Sequence, residues 1–314
     1  MIKFLVVVVL VAIIAISAVD IVDNNRSINY GGYNSFSSSP FLTLTANITH
    51  PSPQANFTYG YVSPGLWGFQ SGEGNASMFL YRNSSILESV SLKGNEYLNV
   101  FAYSSEHLTQ NIPMPIQDVY RSNLSSFVSF KVINMSSNVL NDLAYDMFLG
   151  SNGTLQNEIE IMLFDNIDTV NAGSYLLPTG LSLITHSLIN GIPTTISWNL
   201  YEKPSDSSSS QEHLIINYIF IPSNNLFIND SGKAIISISP FLEFLNENNL
   251  VFKSQSILRL GIGTEFEIGA INMNADYSFW LYSYFIINGT DYQIVHPAGN
   301  TAMPVDPPIL EAKP

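Results

Sequence analysis

The sequence predicts an all-β fold, a sandwich of antiparallel strands carrying one short helix, and three observations support this. Runs rich in Val, Ile, Phe and Tyr recur between about Asn56 and Phe285 and are cut apart by clusters of Gly, Asn, Pro and Ser. The strand–helix–strand alternation that builds a parallel sheet is missing. Two runs, Asn157–Asn166 (NEIEIMLFDN) and Gly261–Gly269 (GIGTEFEIG), interleave apolar residues with carboxylates at the two-residue period of a strand.

A chain of 314 residues can bury a sizeable core in one large β domain or divide into two small ones. Charged residues make up only 11%, and 11 Lys and Arg against 25 Asp and Glu give a net charge of −14. So few cations leave little to contact phosphates, which argues against nucleic acid as a partner. Cysteine is absent, which removes disulfides, thiol nucleophiles and zinc–thiolate sites. Sparse charge also suits a protein that works in acid, where excess Lys and Arg would repel one another.

In chain order, residues 1–19 begin with Lys3 and continue as an apolar run, shorter than the about 20 residues of a comfortable membrane span. Small residues at Ala15, Ser17 and Ala18 offer a cleavage site, so the run reads as a secretory signal or, if uncleaved, as an N-terminal anchor with membrane association. Either way the remainder is expected outside the cytoplasm, secreted or held at the cell surface. Residues 20–53 are rich in Ser and Asn and read as a lead-in or linker.

The domain is expected over 54–296. Its strands are SMFLYR, YLNVFAY, SSFVSFKVI, EIEIMLF, TTISWNLY, HLIINYIFI, ILRLGIG and FWLYSYFII. Ser239–Asn249 departs from this pattern: Pro240 suits the first turn of a helix, and Phe241, Leu242 and Leu245 fall on one helical face. Ser205–Gln211 (SDSSSSQ) reads as an exposed hairpin loop, and 297–314 as an extended tail. Sequons at Asn47, Asn56, Asn75, Asn83, Asn123, Asn134, Asn152, Asn229 and Asn288 offer glycosylation acceptors in surface turns if the chain is exported.

The chemistry concentrates in the two acidic strands. Glu158, Glu160 and Met162 share one strand face, as do Glu265 and Glu267 in the second run. Carboxylates flanked by Ile, Met, Leu and Phe either line a cleft or lie on edge strands facing water, and spacing alone leaves both readings open. Retaining glycosidases need two such groups about 5–5.5 Å apart, one a nucleophile and one a proton donor, which two neighbouring strands can supply. Met162 and Phe164 would give the apolar wall that raises the donor's proton affinity. The five histidines are scattered without metal-ligand spacing, and no nucleophile elbow or phosphate loop is present, so no metal and no cofactor is expected.

Four motifs in order, Leu66–Gly68 (LWG), Ala144–Leu149 (AYDMFL), Glu160–Leu163 (EIML) and Gly263–Gly269 (GTEFEIG), resemble the β-1,4-glucanases of glycoside hydrolase family 12. That family's later motifs run approximately AYDLWL, EIMIWL and GTEPFTG. The similarity extends over roughly Phe57–Phe285 and includes the helix before the second Glu. It implies a jelly-roll sandwich of two antiparallel sheets with a concave substrate cleft. It further implies Glu160 as nucleophile, Glu265 as general acid/base and Asp146 as the accessory carboxylate near the nucleophile. Trp67 would stack against a sugar ring, and Met162, Phe164, Glu158 and Glu267 would border the substrate.

The departures from the pattern are specific. Phe164 stands where the family has Trp, and Phe266-Glu267 where it has Pro-Phe. Glu267 then either crowds Glu265 or turns to solvent through a bulge. Pro64–Gly65 replaces the residue before LWG, and Glu106 falls where the family carries a Tyr-Pro-Glu segment. The resemblance implies a retaining endo-β-1,4-glucanase with a β-glucan polysaccharide as its partner; the apolar N-terminal run makes it a secreted one, and a monomer is expected. The alternatives are the same fold acting on xyloglucan or mixed-linkage glucan, and a non-catalytic glycosylated surface sandwich that binds polysaccharide or envelope subunits.

Overall fold

A computed structural model describes residues 39–47, 49–50, 52–67, 73–93, 100–136, 139–165, 176–204, 215–227, 231–268, 274–295 and 304–305, with backbone alone at 67, 73, 92–93, 100–104, 139–140, 165, 204, 267–268, 274–275 and 304–305. The chain divides into Met1–Ser39, of which only Ser39 is among the described residues, and Pro40–Pro314, the unit considered below.

In chain order the strands are β1 (Leu42–Ala46), β2 (Gln54–Asn56), β3 (Gly60–Trp67), β4 (Glu73–Leu80), β5 (Ile86–Lys93), β6 (Val100–Leu108) and β7 (Met114–Pro115). Helix α1 (Ile116–Ser122) leads into β8 (Ser125–Met135), β9 (Val139–Ser151), β10 (Thr154–Asp165), β11 (Leu177–Ile189), β12 (Ile192–Pro204), β13 (Ile216–Pro222) and β14 (Ser231–Ser237). Helix α2 (Ser239–Glu247) precedes β15 (Ser256–Ile268), β16 (Asn274–Ile287), β17 (Thr290–Tyr292) and β18 (Pro304–Val305).

Pairing sorts the long strands into two layers of a jelly-roll sandwich. One runs β12-β13-β10-β9-β15-β6-β3-β2, the other β1-β4-β5-β16-β8-β14. Strand β11 pairs with β12 along its length and with β14 at its end, which joins the layers into one continuous, curved sheet. Among the described pairs only β10 and β13 are parallel.

The alternation read from sequence decides which side chains enter the core. In β9, Asn141, Leu143, Tyr145, Met147 and Leu149 point inward, and in β10 so do Ile159, Ile161 and Leu163. They meet Val128, Phe130, Phe279, Leu281 and Phe285 of the opposite layer. Helix α2 begins where Pro240 allows it to and buries Phe241, Leu242 and Leu245. The ring of Phe241 meets Trp198 edge-on at 5.1 Å and Phe220 at 5.0 Å, so α2 packs on the inner side of β12 and β13. Trp198 is fully buried and donates its indole N–H to Thr185 Oγ1 at 2.8 Å.

Three details differ from the sequence expectation. Helix α1 is a second helix where one was expected; its segment IQDVYRS is short and buries only Ile116, Val119 and Ser122, too few positions to show a period. Strand pairing also begins within the stretch read as a lead-in. Leu42–Ala46 alternates Leu and Thr, buries Leu44 and Ala46, and pairs with β4. Near the other end, Pro304–Val305 of the expected tail pairs with β2. The loop Ser205–Gln211 lies outside the described residues.

Candidate active site

The carboxylates gather on the face of the first layer turned away from the core. Antiparallel pairing sets Glu160 of β10 directly opposite Asp146 of β9, and Asp146 in turn opposite Gly261 of β15. Glu158 pairs with Phe148 one repeat along, and Met162 with Ala144 on the other side. Glu265, four residues beyond Gly261 on the same face of β15, is exposed, whereas Asp146, Glu158 and Glu160 are half-buried. The β9–β10 hairpin and β15, about a hundred residues further on, thus bring together Asp146, Glu158, Glu160 and Glu265, four of the acids singled out from the sequence. A fifth acid that it did not single out, Asp142, joins them with 4% exposure, and its Oδ1 accepts the main-chain N–H of Glu265 at 3.0 Å.

A cluster of this kind cannot be fully ionised. Burial raises the Asp146 carboxyl well above the ordinary aspartate range, and the charges of Glu160, Glu158 and Glu265 add to it. Burial likewise raises Glu158 to about 8, reinforced by Glu160 and Glu265 and opposed by Lys203 and Arg259. Asp142 is raised by burial first and then by the Glu265 charge, opposed by the hydrogen bond it accepts from the Glu265 main chain, with Glu160 and Asp146 adding to the rise. Glu160 and Glu265 act on all three of Asp142, Asp146 and Glu158, so the acids of this face titrate as a coupled group.

Orientation comes from a residue absent from the sequence reading. Strand β13 runs parallel to β10, and Asn217 of β13 donates from Nδ2 to Oε1 of Glu160. Asn217 is 8% exposed, so solvent competes little for that bond. Beside it Met162, Ala144 and Ile219 form a small apolar cluster, separate from the main core and flanked by Leu176, Tyr201 and Ile221. On the opposite side His107 of β6 stacks on Tyr61 of β3 with ring centroids 4.5 Å apart, and its Nε2 meets Ser105 Oγ at 2.7 Å. Gly261 is bare because His107 lies over it, and a Cβ there would come within 2.7 Å of Nδ1. Burial, assisted by Arg259, lowers His107 to about 4, so the ring is neutral near pH 7. The Arg259 guanidinium itself sits 5.5 Å above the Phe148 ring.

Phe164 does not belong to this face. The β9–β10 register slips between Met162, opposite Ala144, and Phe164, opposite Leu143, so one extra β10 residue turns Phe164 toward the core. There its ring lies 5.2 Å from Phe130 and packs against the main cluster. Glu106 is likewise internal. Ser105 and His107 take the outer face of β6, and Glu106, 1% exposed, accepts a hydrogen bond from Ser283 Oγ of the opposite layer at 3.1 Å. Trp67 ends β3 with its backbone opposite Phe101, and Glu267 lies opposite Leu140, but both side chains are outside the described residues. A separate cavity near the β11–β12 turn is lined by Ile189, Ile192, Thr195, Asn224 and Leu226 without any titratable group, so acid–base chemistry does not reside there.

No family model and no curated protein sequence matches the chain. Solved structures do. The native family 12 xyloglucanase from Bacillus licheniformis superposes with a TM-score of 0.51 at 16% identity, covering 78% of this chain and 100% of that one. The same enzyme in complex with a ligand gives a TM-score of 0.52 at 15% identity, over 78% of this chain and 99% of that one. The chain has the all-β jelly-roll fold of the family 12 xyloglucanase.

Proposed function

We propose that the protein is a glycoside hydrolase acting on β-glucans, in its finer form a secreted endo-β-1,4-glucanase that retains anomeric configuration. The observation that carries this reading is the placement of Glu160, Asp146 and Glu265 on three adjacent strands of one face, with Asn217 fixing the Glu160 carboxylate. Its support is chemical: two carboxyl groups with different surroundings divide the work of nucleophile and proton donor, while neighbouring acids keep some of the cluster protonated.

Glucose units binding across this face would set the scissile bond between Glu160 and Glu265. Glu160 attacks the anomeric carbon as Glu265 gives its proton to the leaving oxygen, and a glucosyl ester forms on Glu160. Glu265 then takes a proton from water, which opens the ester and releases the sugar with its original configuration. Asp146, held neutral by burial, is opposite Glu160 and can donate a hydrogen bond to it. Tyr201, packed against the buried Met162, offers an apolar surface to the sugar, and Trp67 and Glu267 are proposed as further substrate contacts. In this reading residues 1–19 direct export and the protein acts as a monomer outside the cell.

A second substrate within the same chemistry is xyloglucan, favoured because the two superposed structures above are xyloglucanases. Reducing-sugar release from carboxymethylcellulose, xyloglucan and mixed-linkage glucan between pH 3 and 8 tests the assignment. Release from at least one is expected; a folded protein that releases nothing from any would end it in favour of a non-catalytic surface role.

A further inference from the structure

Asp142 takes no part in the two-carboxylate scheme, yet it is more deeply enclosed than Asp146, Glu158, Glu160 or Glu265. Asn141 and Leu143 on either side of it are turned into the core, and Asn141 Nδ2 is anchored on the Tyr277 hydroxyl at 2.8 Å. Asp142 is therefore committed to the carboxylate face. The β9–β15 pairing runs to Gly263 opposite Ala144 and resumes at Phe266 opposite Asn141. Between those pairs, the main-chain N–H of Glu265 is taken by the Asp142 side chain. A titratable group thus holds the backbone of the residue assigned as the acid/base.

The groups that act on Asp142 are Glu265 from β15, Glu160 from β10 and Asp146 along β9, with Tyr277 of β16 on the core side. Asp165 of β10 pairs with it through the backbone, and Tyr103 of β6 pairs with Glu265, while their side chains lie outside the described residues. All of these are acids, so each ionisation around Asp142 makes its own less favourable.

We propose that Asp142 is a positioning residue for Glu265 that works through its own protonation: neutral, it holds the Glu265 main chain on Oδ1 with its proton on Oδ2, and on ionising it weakens Glu265 as a proton donor. The proton lost from Oδ2 passes to solvent, and the charge left behind sits against Glu265 when that group must give up its own proton. Activity would then close on the alkaline side at the ionisation of Asp142 rather than of Glu265 alone. Burial raises the Asp142 carboxyl, against the hydrogen bond it accepts from the Glu265 main chain, and places that closure above the ordinary aspartate range. The inference rests on Glu265 being the acid/base.

Two measurements test it. Asp142→Asn keeps the acceptor for the Glu265 N–H and removes the proton, so the alkaline limb of kcat/KM is expected to move up by about one pH unit while the acid limb stays. A folded variant with an unmoved alkaline limb overturns the proposal. The second requires no activity. Side-chain carboxyl 13C titration of aspartate-labelled protein should show a resonance with its midpoint well above the ordinary aspartate range that is absent from both Asp142→Asn and Asp142→Glu. If every such resonance persists in those variants, the proposal is overturned even if glucan hydrolysis is found; the expected resonance with no hydrolysis sinks the enzyme reading alone.

Discussion

Asn217 Nδ2 donates to Glu160 Oε1 across the parallel β10–β13 pair. Asn217 is in register with Glu158, so its side chain reaches diagonally to the next acid on the same face. The bond fixes one oxygen of the Glu160 carboxylate. A hydrogen bond to a charged group contributes roughly 1.5–3 kcal/mol, so Asn217→Ala is expected to lower kcat/KM by about ten- to a hundredfold. Steady-state kinetics alongside a melting curve checks it, and an unchanged kcat/KM contradicts it.

Glu160→Gln and Glu265→Gln preserve shape and remove ionisation. Each is expected to reduce hydrolysis of soluble β-glucan by roughly three orders of magnitude or more without loss of fold, as removal of a reacting group does. Assays on variants whose circular dichroism matches the wild type decide this.

Phe164→Ala and Met162→Ala separate the core from the carboxylate face. Phe164 packs on Phe130 inside the sandwich, so its truncation is expected to cost about 2–3 kcal/mol of stability, below the range for a fully enclosed Phe, with little change in kcat per folded molecule. Met162, 2% exposed, is packed with Ala144 and Ile219 beneath the carboxylate face, and its truncation is expected to cost about 2 kcal/mol or more of stability and, unlike that of Phe164, to raise KM as well. Urea melts and kinetics on both variants test the assignment, and the reverse pattern would return Phe164 to the substrate side.

Glu106 gives a pH dependence of stability. Burial raises its carboxyl from 4.5 to about 8, opposed only in part by the Ser283 hydrogen bond. The folded state therefore binds more protons than the unfolded state between those values. Stability is fully present below pH 4.5 and falls as pH rises toward 8, by about 5 kcal/mol at most. Glu106→Gln should melt like the wild type in acid and at higher temperature than it at pH 8. Thermal melts at pH 4 and pH 8 check this, and equal melting of both proteins at pH 8 would contradict it.

The alternation of NEIEIMLFDN and GIGTEFEIG was legible because a half-buried strand writes its two faces into the sequence. It placed Glu158 with Glu160 on one face of the first strand and Glu265 with Glu267 on one face of the second, while only the strand pairing joins the two sets, and Pro240 with Phe241, Leu242 and Leu245 marked α2. Phe164 was misplaced because a single inserted residue in one strand inverts every later side chain, and a β-bulge has no sequence period. Asn217 and Asp142 were missed for a different reason: their roles depend on which strands become neighbours. The segment NDLAYD does hold Asp142 and Asp146 at an even spacing, so the shared face was readable, but the N–H it accepts belongs to a strand more than a hundred residues away. Glu106 sits one residue out of phase with Ser105 and His107, and that parity was the available signal for an interior acid.

The central claim is that Glu160 is the nucleophile of a retaining β-glucan hydrolase. Incubation with an activated 2-deoxy-2-fluoro-cellobioside, followed by mass spectrometry of the digested protein, tests it most directly, since the fluorine slows release of the glycosyl ester. The account predicts a stable adduct on the peptide spanning 157–166, located at Glu160 and absent from Glu160→Gln. An adduct on another residue, or hydrolysis of β-glucan with inverted configuration and no adduct, would contradict it.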